Sequence, residues 1–146
     1  MTQGLEGMQV GFLGGGAMGE ALAAGVLAAG VPASCVRVSD PDPARRDHLA
    51  SAHGVAVHDD NDAVVEASAV VVLAVKPALA RRVLAGLRAV RDATRRPLWI
   101  SIAAGVPLAT LEGSLPAGAR VVRAMPNTPA LVGSGATAFV ANAAAT

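Results

Sequence analysis

A run of glycines set between a strand-like segment and a helix-like one constrains this chain more than any other feature. Val10-Gly11-Phe12-Leu13 is apolar, Gly14-Gly15-Gly16 follows, and Ala17-Met18-Gly19-Glu20-Ala21-Leu22 opens an alanine-rich helical pattern. Gly14, Gly16 and Gly19 fit G-x-G-x-x-G. In a strand–turn–helix setting each glycine has a separate duty. The first lets the chain turn off the strand, the second leaves room for a pyrophosphate beside the backbone, and the third lets the helix pack closely. The helix N-terminus adds N–H groups without intrahelical partners and the positive end of the helix dipole. Asp40 closes Val36-Arg37-Val38-Ser39 and stands about twenty residues beyond the motif, the spacing of an acid that accepts from a ribose hydroxyl. The pattern predicts a dinucleotide site; the alternative is a glycine turn that binds nothing.

The rest of the chain alternates in the same way. Strands are predicted over 8–13, 36–39, 55–57, 69–75, 98–102, 120–125 and near 136–140. Helices are predicted over 17–29, with Leu22, Val26 and Ala29 facing the sheet, over 43–52, up to about 67, over 78–93 and over 107–115. The unbroken β-branched run through Val70-Val71-Val72-Leu73 suits a central parallel strand covered on both faces. Alternating strands and helices imply a parallel sheet with right-handed crossovers. With the glycine fingerprint, the expected class is α/β: a doubly wound, mostly parallel, Rossmann-like sheet with helices on both faces and central order 3-2-1-4-5-6. Ligand should lie across the carboxyl ends of strands one and four.

A length of 146 residues suits one domain, residues 1–146. Hydrophobic residues make up 53% and aromatics 2%, so small aliphatic side chains must build the core. A net charge of +1 and so few aromatics give no case for nucleic acid or a membrane surface. Cys35 is the only cysteine, which rules out an internal disulfide and suits a reducing compartment. No basic segment precedes an apolar run at the N-terminus, and the uncharged stretch from Ala21 to Val36 is short and interrupted. The expectation is a soluble cytoplasmic protein. His48, His53 and His58 read as surface or packing residues away from the active edge. With one cysteine and no histidine pair at helical spacing, no metal site is expected.

Four loops at predicted carboxyl ends carry the unusual residues, and together they resemble one family. Gly11 to Leu22, Ala74-Val75-Lys76-Pro77, Ser101-Ile102-Ala103-Ala104-Gly105-Val106 and Met125-Pro126-Asn127-Thr128-Pro129 look like pyrroline-5-carboxylate reductase, in order and spacing. The glycine motif is shared by many dehydrogenases; the combination of the other three is far more specific. The resemblance implies hydride transfer from NADPH or NADH to the imine carbon of Δ1-pyrroline-5-carboxylate, giving L-proline as the last step of proline biosynthesis. Carried over by position, Leu13, Gly14, Gly15, Gly16, Ala17 and Met18 would hold the pyrophosphate. Asp40 would lie by the adenosine ribose and Asn61 near the adenine. Ala74, Val75, Lys76 and Pro77 would line the nicotinamide half, Ile102, Ala103 and Ala104 its floor, and Asn127 and Thr128 the reacting edge.

The residues themselves bear a compatible reading. Small residues at 103–105 admit a flat ring. Lys76 can place charge near a phosphate or a substrate carboxylate, or simply be solvated. Asn127 can orient a carboxamide, or form an Asx turn. Hydride transfer needs alignment above all, so no catalytic side chain is assigned. Asp40 favours NADH, while Arg37, Arg45 or Arg46 could compensate and admit NADPH, so use of either NADP or NAD is expected. The family continues into a helical domain that dimerises and completes the substrate pocket, and its motif is absent from this chain. The expectation is therefore a cofactor-binding half that binds coenzyme without appreciable turnover and forms a homo-oligomer only with that domain. Two alternatives stand beside it: a related hydroxyacid dehydrogenase or deazaflavin-dependent NADP reductase, and a non-catalytic dinucleotide-binding module.

Overall fold

The computed structural model describes residues 4–92, 94–127 and 135–145. Seven strands form one sheet: β1 (Val10–Leu13), β2 (Val36–Ser39), β3 (Ala56–His58), β4 (Val70–Leu73), β5 (Leu98–Ser101), β6 (Arg120–Pro126) and β7 (Thr137–Ala141). Their order is β3-β2-β1-β4-β5-β6-β7. The first six run parallel, and β7 returns antiparallel along β6. The expected Rossmann-like order is therefore present, with an antiparallel strand added at one edge.

Among the described residues five α-helices connect the strands: α1 (Ala17–Ala28), α2 (Pro43–His53), α3 (Asn61–Glu66), α4 (Ala80–Gly86) and α5 (Leu108–Ser114). Local chemistry sets their ends. Asp42 caps α2 by accepting from the Ala44 amide at 2.9 Å, with Pro43 in the first turn, and Gly54 ends it at φ 69°. Asp60 caps α3 by accepting from the Asp62 amide at 3.1 Å.

Two apolar clusters occupy opposite faces of the sheet. Phe12, Val36 and Val38 pack with Ala23 of α1 and Leu49 of α2 on one face. Val71, Leu73, Trp99 and Val121 pack with Val64, Leu84 and Leu111 on the other. At Gly11 a side chain would collide with Val64 and Ser68, so α3 and its following turn lie directly on β1. On the α1 face, an apolar groove between Leu22 and Val26 and the strand residues Val72, Ile100, Val122 and Phe139 remains open, with Phe139 76% exposed.

Three sequence expectations are corrected. The helix expected over 78–93 is broken. Pro77–Leu79 is a 3-10 turn, α4 stops at Gly86, Leu87 is extended, and Ala89–Arg91 is a second 3-10 turn. The buried Asp62 carboxylate draws the chain out of the helix by accepting from the Arg88 and Ala89 amides, each at 2.7 Å. The fourth strand ends at Leu73, and Ala74 donates to Leu13 at 2.8 Å as the last bond of that ladder. Ala29 is the exposed cap of α1, and Gly19 and Ala23 are the buried contacts instead. Among the described residues no helix is long and apolar enough to cross a membrane, and no group of acidic, histidine or cysteine side chains is placed to hold a metal ion.

Candidate functional site

The parallel register lines up the chain exits. Leu13 lies opposite Ser39 and Leu73, and Leu73 opposite Ser101, which faces Arg123. The residue after each strand is tied to the neighbouring strand's end. Gly14 donates to Ser39 at 2.9 Å, Asp40 to His58 at 3.1 Å, Ala74 to Leu13 at 2.8 Å and Ile102 to Leu73 at 3.1 Å. The loops beginning at 14, 40, 74 and 102 therefore leave along one edge of the sheet.

The glycine loop is shaped by its neighbours. Gly14 has φ 103°, and a Cβ there would stand 2.7 Å from the Ala74 carbonyl oxygen. At Gly19 a Cβ would collide with the Gly14 carbonyl, so α1 starts tightly against the loop. Gly16 differs: it is exposed, a Cβ on it would meet nothing within 4 Å, and it caps α1 without a side-chain hydrogen bond. The result is a bare backbone cradle at a helix start, which fits the diphosphate of a dinucleotide. Leu13 is fully buried and offers only backbone, whereas Ala17 is exposed and Met18 half-buried in the first turn of α1.

Asp40 and Asn61 are both engaged with the protein. Asp40 Oδ2 accepts from the Gly15 amide at 2.9 Å and Oδ1 from the Asp42 amide at 2.9 Å, so this acid buttresses the glycine loop. Asn61 Oδ1 accepts from the buried Ser39 hydroxyl at 2.6 Å. Behind the loop, Arg45 Nε donates to the Gly15 carbonyl at 2.8 Å, and its Nη2 donates to the same oxygen and to Glu20 Oε2 at 2.9 Å. Glu20 Oε1 is 2.7 Å from His48 Nε2 and 2.9 Å from His53 Nε2. The bond with His53 does most to lower the Glu20 pKa. Burial opposes it, and His48 and Arg45 add to the lowering, which takes the carboxyl from 4.5 to about 2. His48 and His53 thus stand one side chain from the arginine on the glycine loop, a correction to the expectation that they lie away from the active edge.

The other side of the edge is built from small and apolar residues. Ala74 and Val75 are half-buried, and Lys76 and Pro77 are exposed. Ala103 is buried in the core and donates its amide to Ser101 Oγ at 3.3 Å; Ile102 packs against the opposite cluster; Ala104 is exposed. Asn127 Oδ1 accepts from the Ala136 amide at 3.0 Å, which ties the residue after β6 to the residue before β7. Thr128 lies outside the described residues.

With this geometry in view, comparison with known proteins becomes specific. Residues 9–105 match the family described as NADP oxidoreductase, coenzyme F420-dependent. This chain belongs to that family. The curated pyrroline-5-carboxylate reductase of Synechocystis sp. is 45% identical to it over 136 residues, covering 92% of this chain and 49% of the relative. The solved pyrroline-5-carboxylate reductase of Coxiella burnetii superposes with a TM-score of 0.88 at 35% identity, over 94% of this chain and 50% of that one. The Plasmodium falciparum pyrroline carboxylate reductase, solved with NADP bound, gives 0.81 at 29% identity, over 96% and 50%. The chain spans about half the length of the relatives it matches.

Sequence reasoning assigned no role to Glu20 or Ser39 in this oxidoreductase domain. Glu20 stands inside the glycine motif region, but its partners come from α2, and no local spacing ties α1 to α2. Ser39 was legible only as a strand residue; its neighbour Asn61 is set by the β2–α3 packing.

Proposed function

We propose that this chain binds NADPH or NADH along the edge from the glycine loop to Asn127, and supplies the cofactor-binding half of a pyrroline-5-carboxylate reductase. The bound coenzyme supplies a hydride for the imine carbon of Δ1-pyrroline-5-carboxylate, giving L-proline, the closing step of proline biosynthesis. The open cradle at Gly16 carries the reading, since a loop filled by its own side chains could not take a diphosphate. The kinship with pyrroline-5-carboxylate reductases over about nine-tenths of this chain supports the choice of substrate.

In this reading the residues from Leu13 to Met18 face the diphosphate, with Asp40 at the adenosine ribose and Asn61 at the adenine side. Ala74, Val75, Lys76 and Pro77 border the nicotinamide, and Ala104 and the backbone of Ile102 and Ala103 make its floor. Asn127 stands at the reacting edge. These groups bind and orient; none is asked to act as nucleophile or base. Both Asp40 oxygens already accept amides, yet a carboxylate can take further donors, so a ribose hydroxyl can join them. A cytoplasmic setting and a homo-oligomer of the complete reductase belong to the same proposal.

The test is a calorimetric titration of the 146-residue chain with NADPH and with NADH, followed by an assay of imine-dependent coenzyme oxidation. Binding of one equivalent without appreciable turnover is expected. Failure to bind either coenzyme refutes the reading, and robust proline formation by this chain refutes the half-site part of it. The family's description favours a second reading, in which coenzyme F420 is the hydride partner. Oxidation of NADPH on adding F420, with no response to the imine, would select it.

A further inference from the structure

Gly15 is gripped from both sides. Its amide donates to Asp40 and its carbonyl accepts twice from Arg45, while a Cβ on it would stand 2.6 Å from Leu49. The loop has no side chain of its own to fix its shape, and nothing caps the helix start at Gly16 except backbone. The arginine is in turn fixed by Glu20, whose second oxygen faces His48 and His53. Arg45 and Glu20 are both largely shielded, with side-chain exposures of 33% and 23%.

We propose that Glu20 and Arg45 are positioning residues for the coenzyme diphosphate, holding the Gly15 carbonyl so that the bare loop meets its ligand already in shape. The inference rests on the cofactor reading above. A glycine-rich segment has more backbone freedom to lose than any other, so an external brace removes an ordering cost that binding would otherwise carry. A guanidinium forked onto one carbonyl and one carboxylate is well suited to this, since its planar donors fix an angle as well as a distance. The histidines hold the Glu20 carboxylate in place, and with Arg45 they lower its pKa.

The brace acts on a group common to NADPH and NADH, and that makes it distinguishable from direct recognition. If Arg45 read a 2′-phosphate, its loss would penalise NADPH alone. If it merely stabilised the domain, every adenosine ligand would suffer alike or none would. The experiment titrates the 146-residue chain and its E20Q, R45A and R45K variants with NADPH, NADH and adenosine 2′-monophosphate, which lacks a diphosphate. Thermal midpoints accompany each titration. E20Q and R45A are expected to weaken both coenzymes roughly tenfold, as loss of a charge-assisted hydrogen bond does. The NADPH-to-NADH ratio and the monophosphate affinity should stay unchanged. R45K, which keeps the charge but not the fork, should recover only part of the loss. Unchanged coenzyme affinity in E20Q and R45A overturns the inference while leaving the cofactor reading intact. So does a loss confined to NADPH, or one shared by the monophosphate. A wild-type chain that binds neither coenzyme overturns both.

Discussion

Glu20 and Asp62 each stand in the first turn of a helix, and each has its pKa lowered, yet they are held in opposite ways. Asp62 is 7% exposed and accepts from two backbone amides of the turn after α4, with Arg88 Nε adding a third contact at 3.2 Å. Burial alone would raise its pKa; the amides of Ala89 and Arg88 and the Arg88 side chain outweigh that. Among the described residues the partners of the Glu20 carboxylate, Arg45, His48 and His53, are all side chains. Asp62, tied to the backbone amides of a distant turn, fixes the fold. Glu20, tied to side chains, fixes those side chains, and here they lead to the glycine loop. The same type of group therefore serves architecture at Asp62 and the candidate site at Glu20.

The largest effect that could break this contrast is at Asp62. Its replacement by Ala leaves the Arg88 and Ala89 amides without their acceptor, one of them buried, and should cost about 3 kcal/mol of stability. Urea unfolding measures it, and coenzyme affinity of the folded variant should match that of the wild type. A variant of normal stability with weakened binding would show that the division between fold and site is false.

A smaller effect sharpens the same division within the glycine loop. Gly14→Ala must adopt φ 103° and place a methyl 2.7 Å from the Ala74 carbonyl, so it should destabilise by about 2 kcal/mol. Gly16→Ala meets nothing within 4 Å and keeps an ordinary φ of −69°, so the fold should be unaffected. Its methyl would occupy the cradle, and dinucleotide affinity should fall roughly tenfold, the scale of a steric intrusion on a diphosphate site. Thermal melts beside coenzyme titrations separate the two. Equal melting and equal binding for both variants would remove the distinction.

The sheet was readable because burial and strand pattern coincide. Val70 to Leu73 is covered on both faces and reads as an unbroken apolar run, and Gly14 marks the one exit its φ requires. The break after α4 was not readable. Val83, Leu84, Leu87 and Val90 all reach the core, so the helical spacing persists although the hydrogen bonding stops at Gly86. What stops it is Asp62, 26 residues earlier in the chain. The direction of β7 was equally hidden, because alternation of side chains does not depend on which way a strand runs. In the candidate site, Asp40 was legible from its place at the end of β2, but its hold on the Gly15 amide was not. The Glu20 cluster joins α1 to α2 across a packing contact that carries no periodic signal.

The smallest effect is the most direct measure of how Glu20 is held. Its carboxyl titrates at about 2 in the fold against an ordinary 4.5, so the folded state favours the charged form. The stabilisation this provides is complete above pH 4.5 and is lost as the pH falls toward 2, because the unfolded chain takes up the proton first. Glu20→Gln should therefore be less stable than the wild type at pH 6 by about 1 kcal/mol, the scale of a partly exposed ionic network. At pH 3 more than half of that deficit should have gone. Denaturant midpoints of the two proteins at both values decide it. A deficit that stays constant across this interval would mean that Glu20 contributes through packing and not through charge. Its contrast with the backbone-bound Asp62 would then lose its physical basis.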